Sequence, residues 1–204
     1  MDLKLSGKTA LVLASSSGLG KAIAQELARE GANVMLTSRT EEKLEQVKAD
    51  IERETKGKVA YTVCDLTDPE NIRQLVESTR KTFGKISILV NNTGGPPGGS
   101  FDSFSDEDWQ KAFDLTLLSY IRTINAVLPD LKETHGRILN NASSSIKQAI
   151  DGLVMSNVFR MGISGLSKSL SQELAGRRHS GQYHRSGTDR NRPPDRAGRQ
   201  TCRT

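Results

Sequence analysis

The sequence predicts an α/β fold in which a parallel sheet is covered by helices on both faces, a doubly wound arrangement. Two observations carry this expectation. Short, nearly continuous apolar runs alternate strictly with longer segments of helical period between residues 8 and 174, and strands that read as unbroken apolar runs belong to sheets buried on both sides. The turn after the first run, A-S-S-S-G-L-G at 14–20, has the small residues and glycines that a tight passage from strand to helix requires.

The elements follow in order. Residues 8–14 (K-T-A-L-V-L-A) read as the first strand, and 18–30 as a helix with Leu19, Ala22, Ile23 and Leu27 on one stripe. Residues 33–37 (N-V-M-L-T) form the second strand. Thr40 is placed to cap a charged helix to about residue 54, with Leu44, Val47 and Ile51 on its apolar face. Residues 58–64 give the third strand. Asp68-Pro69 opens the next helix, with Asp as cap and Pro at the first position, and that helix runs to about 83. Residues 86–90 (I-S-I-L-V) are the fourth strand, followed by the loop N-N-T-G-G-P-P-G-G. Ser105 and Asp108 have capping-box spacing at the head of a helix expected to reach about 128. Residues 136–142 supply the fifth strand. A last helix over 153–174 carries Val158, Ile163, Leu166, Leu170 and Leu174.

Charge and cysteine content narrow the functional classes. The 204-residue chain has a net charge of +5, but residues 177–204 hold eight Arg, no Lys and two Asp, a local charge of +6. The remaining 21 basic and 22 acidic residues leave 1–176 at −1, which argues against a basic nucleic-acid face on the domain. Cys64 and Cys202 form no disulfide framework. The apolar run at 9–14 is short for a signal-peptide core, and no stretch approaches the roughly 20 residues of a membrane span. A soluble cytoplasmic protein without membrane or nucleic-acid partners is expected, and no metal is assigned.

In doubly wound sheets the ligand lies beyond the carboxyl ends of the strands. Gly18 and Gly20 would let the backbone approach a phosphate, which the free N–H groups of the new helix would bind; the alternative is a turn whose glycines serve geometry alone. After the second strand comes Ser38-Arg39, where an acidic residue would hold a free ribose hydroxyl and an arginine suits a 2′-phosphate. Arg39 therefore points to NADP(H), against the alternative of a solvated arginine ahead of a helix.

On these residues the chain resembles the short-chain dehydrogenase/reductase family, nearest to its 3-oxoacyl-[acyl-carrier-protein] reductase-like members, over residues 5 to about 176. The resemblance implies a Rossmann dinucleotide-binding domain and an enzyme that reduces a carbonyl, 3-oxoacyl-like substrate by hydride transfer from NADP(H). The family's T-G-x-x-x-G-x-G turn corresponds to L-A-S-S-S-G-L-G, with Leu13 and Ala14 replacing its Thr and first Gly. Cofactor contacts are thereby implied for Ser16, Ser17, Gly18, Leu19 and Gly20, for Ser38 and Arg39, and for the adenine-pocket acid Asp65 with Leu66. The family's N-N-A-G matches Asn91, Asn92, Thr93 and Gly94.

The catalytic positions depart from the family's pattern. Its tyrosine proton donor and the lysine four residues later fall on Ser156 and Arg160; its serine, thirteen residues earlier, is kept as Ser143, and its asparagine is Thr116. An aliphatic hydroxyl is a much weaker acid than a phenol of pKa near ~10, and losing a positioned general acid typically costs about 10²–10⁴ in rate. Arg160 keeps a charge that could hold a ribose hydroxyl but cannot exchange its proton as lysine can. Tyr120 and Tyr61 are not expected to substitute, one lying on the middle helix and the other in the third strand. Ser143 also reads as a strand-end turn residue.

Beyond residue 176 the family continues as V-N-x-x-x-P-G-x-x-x-T. A one-nucleotide shift over the codons of residues 181–193 permits V-N-T-I-G-P-G-R-I-A-T-D, in register with that pattern. The expectation is thus a truncated domain over 1–176 lacking its last strands, followed by a frameshifted, disordered basic tail. The fifth strand would be left as a long apolar edge, and the homo-oligomer expected of an intact-frame protein would be compromised. Two other functions stay open: a non-catalytic dinucleotide-binding sensor or scaffold, and nucleic-acid binding through the tail.

Overall fold

The computed structural model describes residues 3–55 and 57–176. The expectations placed on 177–204, a frameshifted and disordered tail, lie outside those residues. The chain divides into two units, Met1–Ser169 and Leu170–Thr204; the sheet and all the site residues belong to the first, and of the second only 170–176 are described.

Five parallel strands form one sheet in the order β3-β2-β1-β4-β5: β1 (Thr9–Val12), β2 (Asn33–Ser38), β3 (Val59–Val63), β4 (Ile88–Asn91) and β5 (Arg137–Asn140). The helices between them are α1 (Gly18–Arg29), α2 (Glu41–Glu54), α3 (Pro69–Phe83), α4 (Asp106–Phe113) and α5 (Ser119–Glu133), with α6 (Val154–Gly176) after β5. The doubly wound parallel sheet is therefore the fold. Register aligns Val12 with both Leu36 and Val90, and Asn91 with Asn140, so the carboxyl ends of β2, β1, β4 and β5 come level.

Alternate residues of β1 serve the two faces. Ala10 and Val12 pack with Ala24 and Ala28 of α1 and Leu44, Val47 and Ile51 of α2, while the intervening Leu11 is fully buried as well. The expected stripe of α1 needs correction. Its buried positions are Gly20, Ala24 and Ala28, whereas Leu19 is 65% exposed. Small residues four apart let the helix lie close to the sheet, and the larger Ile23 and Leu27 flank that contact half-buried. The α6 stripe shifts similarly: Met155, Phe159 and Ile163 are buried and Val158 is exposed. Phe159 meets Trp109 edge-on at 5.7 Å and Phe113 at 6.0 Å, which anchors the start of α6 on α4.

Local signals fared according to their chemistry. Asp68 caps α3 by accepting from the Glu70 N–H at 2.8 Å, and the Ser105–Asp108 capping box is formed at the head of α4. Thr40 occupies the N-cap position of α2 without a side-chain cap bond; its N–H instead donates to Ser38 Oγ. The helix opened by Ser105 passes through a π-helical turn, Asp114–Leu118, into α5 and ends at Glu133, not near 128. Pro129 is carried inside it, because the next residue, Asp130, is fixed by a bidentate ion pair to Arg80 of α3 at 2.9 and 3.0 Å. The edge strand β5 has four residues in which Arg137 and Leu139 are exposed, a shorter and less apolar edge than expected among the described residues.

Candidate dinucleotide site

The strand ends open on a cleft of about 560 Å³. Ala14, Ser16, Ser17 and Leu19 line it after β1, Ser38 and Arg39 after β2, and Asp65 and Leu66 after β3; Asn92, Thr93 and Gly94 follow β4, and Arg160 comes from α6. Most of the sequence assignments thus line one cleft, with two groups of exceptions.

The first concerns the glycines. Gly18 and Gly20 do not line the cleft. Gly18 has φ +54° with open space where a Cβ would stand, so it supplies the left-handed bend of the turn. At Gly20 a Cβ would lie 2.3 Å from the Ala14 carbonyl oxygen and 2.8 Å from Asn92 Nδ2. Gly20 therefore serves close packing of the helix under the turn, where approach to a phosphate was expected.

The second concerns the tetrad positions. Thr116 is buried on the π-helical turn with Oγ1 lacking a partner, Ser143 accepts from the Ser145 N–H at 3.2 Å as a turn residue, and Ser156 is half-buried one turn before Arg160. None of the three lines the cleft. Tyr120, which the sequence reading set aside because of its helix, does not line the cleft either. It is fully buried on α5, and its hydroxyl donates to the Asn141 carbonyl at 2.7 Å and accepts from Arg160 Nη1 at 3.2 Å. Burial raises its phenol above the ordinary value, which the Arg160 guanidinium partly opposes. Tyr61 points elsewhere, donating to Glu45 on α2 at 2.9 Å.

One hydrogen-bonded path ties the parts together. Asn92 Nδ2 donates to the Ala14 carbonyl at 3.3 Å, Asn141 Nδ2 donates to Asn92 Oδ1 at 2.8 Å, and the Asn141 carbonyl receives Tyr120 and Arg160. Asn91 and Asn140 make a parallel rung, Nδ2 to Oδ1 at 2.8 Å. Asn141 was missed by sequence reasoning, although the doublet Asn140-Asn141 repeats Asn91-Asn92 at the adjacent strand end.

Electrostatics divide the cleft. At the β2 end stand Arg39 and Lys43, both exposed and without an ion pair among the described residues; Lys43, in the first turn of α2, was also missed. Asp65 Oδ1 accepts from Thr67 N–H and Oγ1 at 2.9 and 2.8 Å, and these bonds, with Arg39 nearby, hold its carboxyl below the usual value. Cys64 lines the cleft as an inert thiol, pushed up to about 12 chiefly by burial.

Ala14 is in the left-handed region, φ +47°, where a Cβ costs roughly 1–2 kcal/mol. Glycine would relieve that strain, while its greater freedom in the unfolded chain costs about 0.5–1 kcal/mol. Ala14→Gly should therefore leave the urea midpoint unchanged or slightly higher. A clearly lower midpoint would contradict this.

A turn, a helix N-terminus and strand-end polar groups gathered in this way define a doubly wound α/β domain with a polar cleft at its strand ends. Residues 8–178 match the family model described as short chain dehydrogenase, and the chain belongs to that family of oxidoreductases. It is 33% identical over 174 residues to an uncharacterized oxidoreductase of Staphylococcus saprophyticus, covering 85% of this chain and 74% of the relative. To the 3-oxoacyl-[acyl-carrier-protein] reductase of Escherichia coli it is 33% identical over 176 residues, 86% of this chain and 70% of that one. The crystal structure of L-sorbose reductase from Gluconobacter frateurii, complexed with NADPH and L-sorbose, superposes with a TM-score of 0.83 at 32% identity, covering 86% and 67% of the two chains. The chain thus spans about two thirds to three quarters of these relatives. No helix among the described residues is long and apolar enough to cross a membrane.

Proposed function

We propose that the cleft binds NADP(H) and that the chain is a short-chain reductase of a carbonyl substrate, 3-oxoacyl-like by its resemblance, working with altered catalytic positions. The observation that carries the cofactor is the pair Arg39 and Lys43, two cations without ion pairs among the described residues, at the strand end where a free ribose hydroxyl would call for an acid. The fit extends to the cradle: Gly20 is held where no Cβ can enter, and the turn it supports offers Ser16, Ser17 and Leu19 to the cleft. Asp65 retains Oδ2 for an adenine amino group. Asn92, Thr93 and Gly94 would face the nicotinamide half, with Arg160 placed to hold a ribose hydroxyl. The cofactor, when bound, supplies a hydride.

The experiment is a fluorescence titration with NADPH and NADH. Arg39→Ala and Lys43→Ala should each weaken NADPH by about tenfold, as for loss of a charge-assisted phosphate contact, and leave NADH unchanged. Equal losses for both cofactors would remove the 2′-phosphate assignment.

A second reading, a dinucleotide-binding protein without turnover, is favoured by one observation. The Tyr120 phenol is fully buried and already donates to Asn141, and Ser156 stands where the family has its phenolic acid, so among the described residues no phenol is offered to the cleft. NADPH binding without oxidation across a panel of ketones would select it.

A further inference from the structure

Among the described residues Arg160 is a buried cation without a counter-ion. The residue is 6% exposed and lines the cleft. Its Nη1 donates to the Tyr120 hydroxyl and the Asn141 carbonyl, both at 3.2 Å. Both acceptors are neutral: the second is an amide, and burial raises the pKa of the first, which keeps the phenol protonated. Among the described residues Arg160 forms no ion pair. A lysine in this place could shed its proton to relieve burial, but a guanidinium cannot. Buried charges are ordinarily paired, and among the described residues Nε and Nη2 have no hydrogen-bond acceptor.

The anions of a bound dinucleotide do not fill this position. Its 2′-phosphate has Arg39 and Lys43 at the end of β2. Its diphosphate belongs to the turn after β1, whereas Arg160 bonds to Asn141 at the end of β5. In the order β3-β2-β1-β4-β5 those two points are two strand spacings apart, roughly 9–10 Å. A ribose hydroxyl would take one N–H without neutralising the charge.

We infer that the substrate brings the missing anion as a carboxylate bound by Nε and Nη2 of Arg160, so that the ligand class is a small oxo acid. This rests on reading the cleft as a nicotinamide-dinucleotide site. The planar fork of an arginine matches a carboxylate in two parallel hydrogen bonds, a geometry that a lysine does not offer. The substitution of arginine for the family's lysine thus changes what the site recognises, in addition to how it moves protons.

The test uses the full chain and a matched pair of probes, acetoacetate and its neutral methyl ester, titrated with and without saturating NADPH. Acetoacetate should bind about ten- to hundredfold more tightly than the ester. Arg160→Gln should bring the two within about threefold, with folding checked by circular dichroism. The comparison in the unaltered protein decides the matter if that variant does not fold. Equal binding of acid and ester, or no binding of either, overturns the inference. So does an acid preference seen in the ligand-free chain and lost with NADPH, which would make the cofactor the anion. Failure of NADPH to bind counts against the dinucleotide reading and is recorded separately, because the acid-to-ester ratio is also measured without it.

Discussion

Replacing Asp130 with alanine is expected to destabilise the domain by about 3 kcal/mol, toward the lower end of the loss found when one partner of a buried ion pair is removed. Asp130 is 7% exposed and takes three N–H groups at once: Arg80 Nε and Nη2, at 2.9 and 3.0 Å, and the backbone N–H of Ile86 at 3.1 Å. Without the carboxylate, the buried Ile86 amide loses its acceptor, and Arg80 keeps only its bond to the Ala126 carbonyl at 3.1 Å. The lower end is chosen because the Arg80 side chain is 37% exposed and can regain water. Asp130→Asn, which retains an oxygen for Ile86, should fall between the two. A folded domain has only about 5–15 kcal/mol in hand, so the shift in urea midpoint will be large. Equal midpoints for the alanine and asparagine variants would show that the Ile86 bond contributes nothing.

The placement of that carboxylate also shows what was legible in the sequence. Elements defined by local chemistry could be read directly: the Asp68-Pro69 start, the Ser105–Asp108 capping box, and the apolar runs of β1 and β4. The end of α5 could not. A proline at 129 argues for a stop, and the contact that carries the helix past it joins residues 50 apart in sequence. Helix faces were misread where small residues were decisive. Hydropathy ranks Leu19 above Gly20 and Ala24, but the sheet accepts the small side chains and leaves the leucine at the mouth of the cleft.

The same division runs through the site. The residues that line the cleft after β1, β2 and β3 were legible because they cluster within short segments at strand ends. Asn141 was missed because its place depends on which strand ends are neighbours, and Lys43 because it is one charge among several on α2. Tyr120 and Arg160 are 40 residues apart and meet at the Asn141 carbonyl. Sequence spacing placed Ser156 and Arg160 correctly on one helix, yet only the three-dimensional arrangement shows that Arg160 faces the cleft while Ser143 spends its hydroxyl on a turn.

Gly20→Ala should have the largest effect on binding. The added Cβ would stand 2.3 Å from the Ala14 carbonyl oxygen and 2.9 Å from its carbonyl carbon, far inside van der Waals contact and against backbone, which cannot rotate away as a side chain can. Either α1 lifts from the sheet or the turn moves, and overpacking of this kind costs typically about 1–3 kcal/mol. Moving the Ala14 carbonyl also breaks its bond from Asn92 Nδ2, the first link of the path through Asn141 to Tyr120 and Arg160. NADPH affinity should accordingly fall by more than about tenfold, since misplacing a positioning group by an ångström carries losses up to about a hundredfold. Gly18→Ala is the control. Its Cβ meets nothing and its cost is the left-handed strain of about 1 kcal/mol, with the asparagine path untouched. If Gly20→Ala unfolds at the same urea concentration as the parent and binds NADPH equally well, the close packing of α1 beneath the turn does not hold the site together.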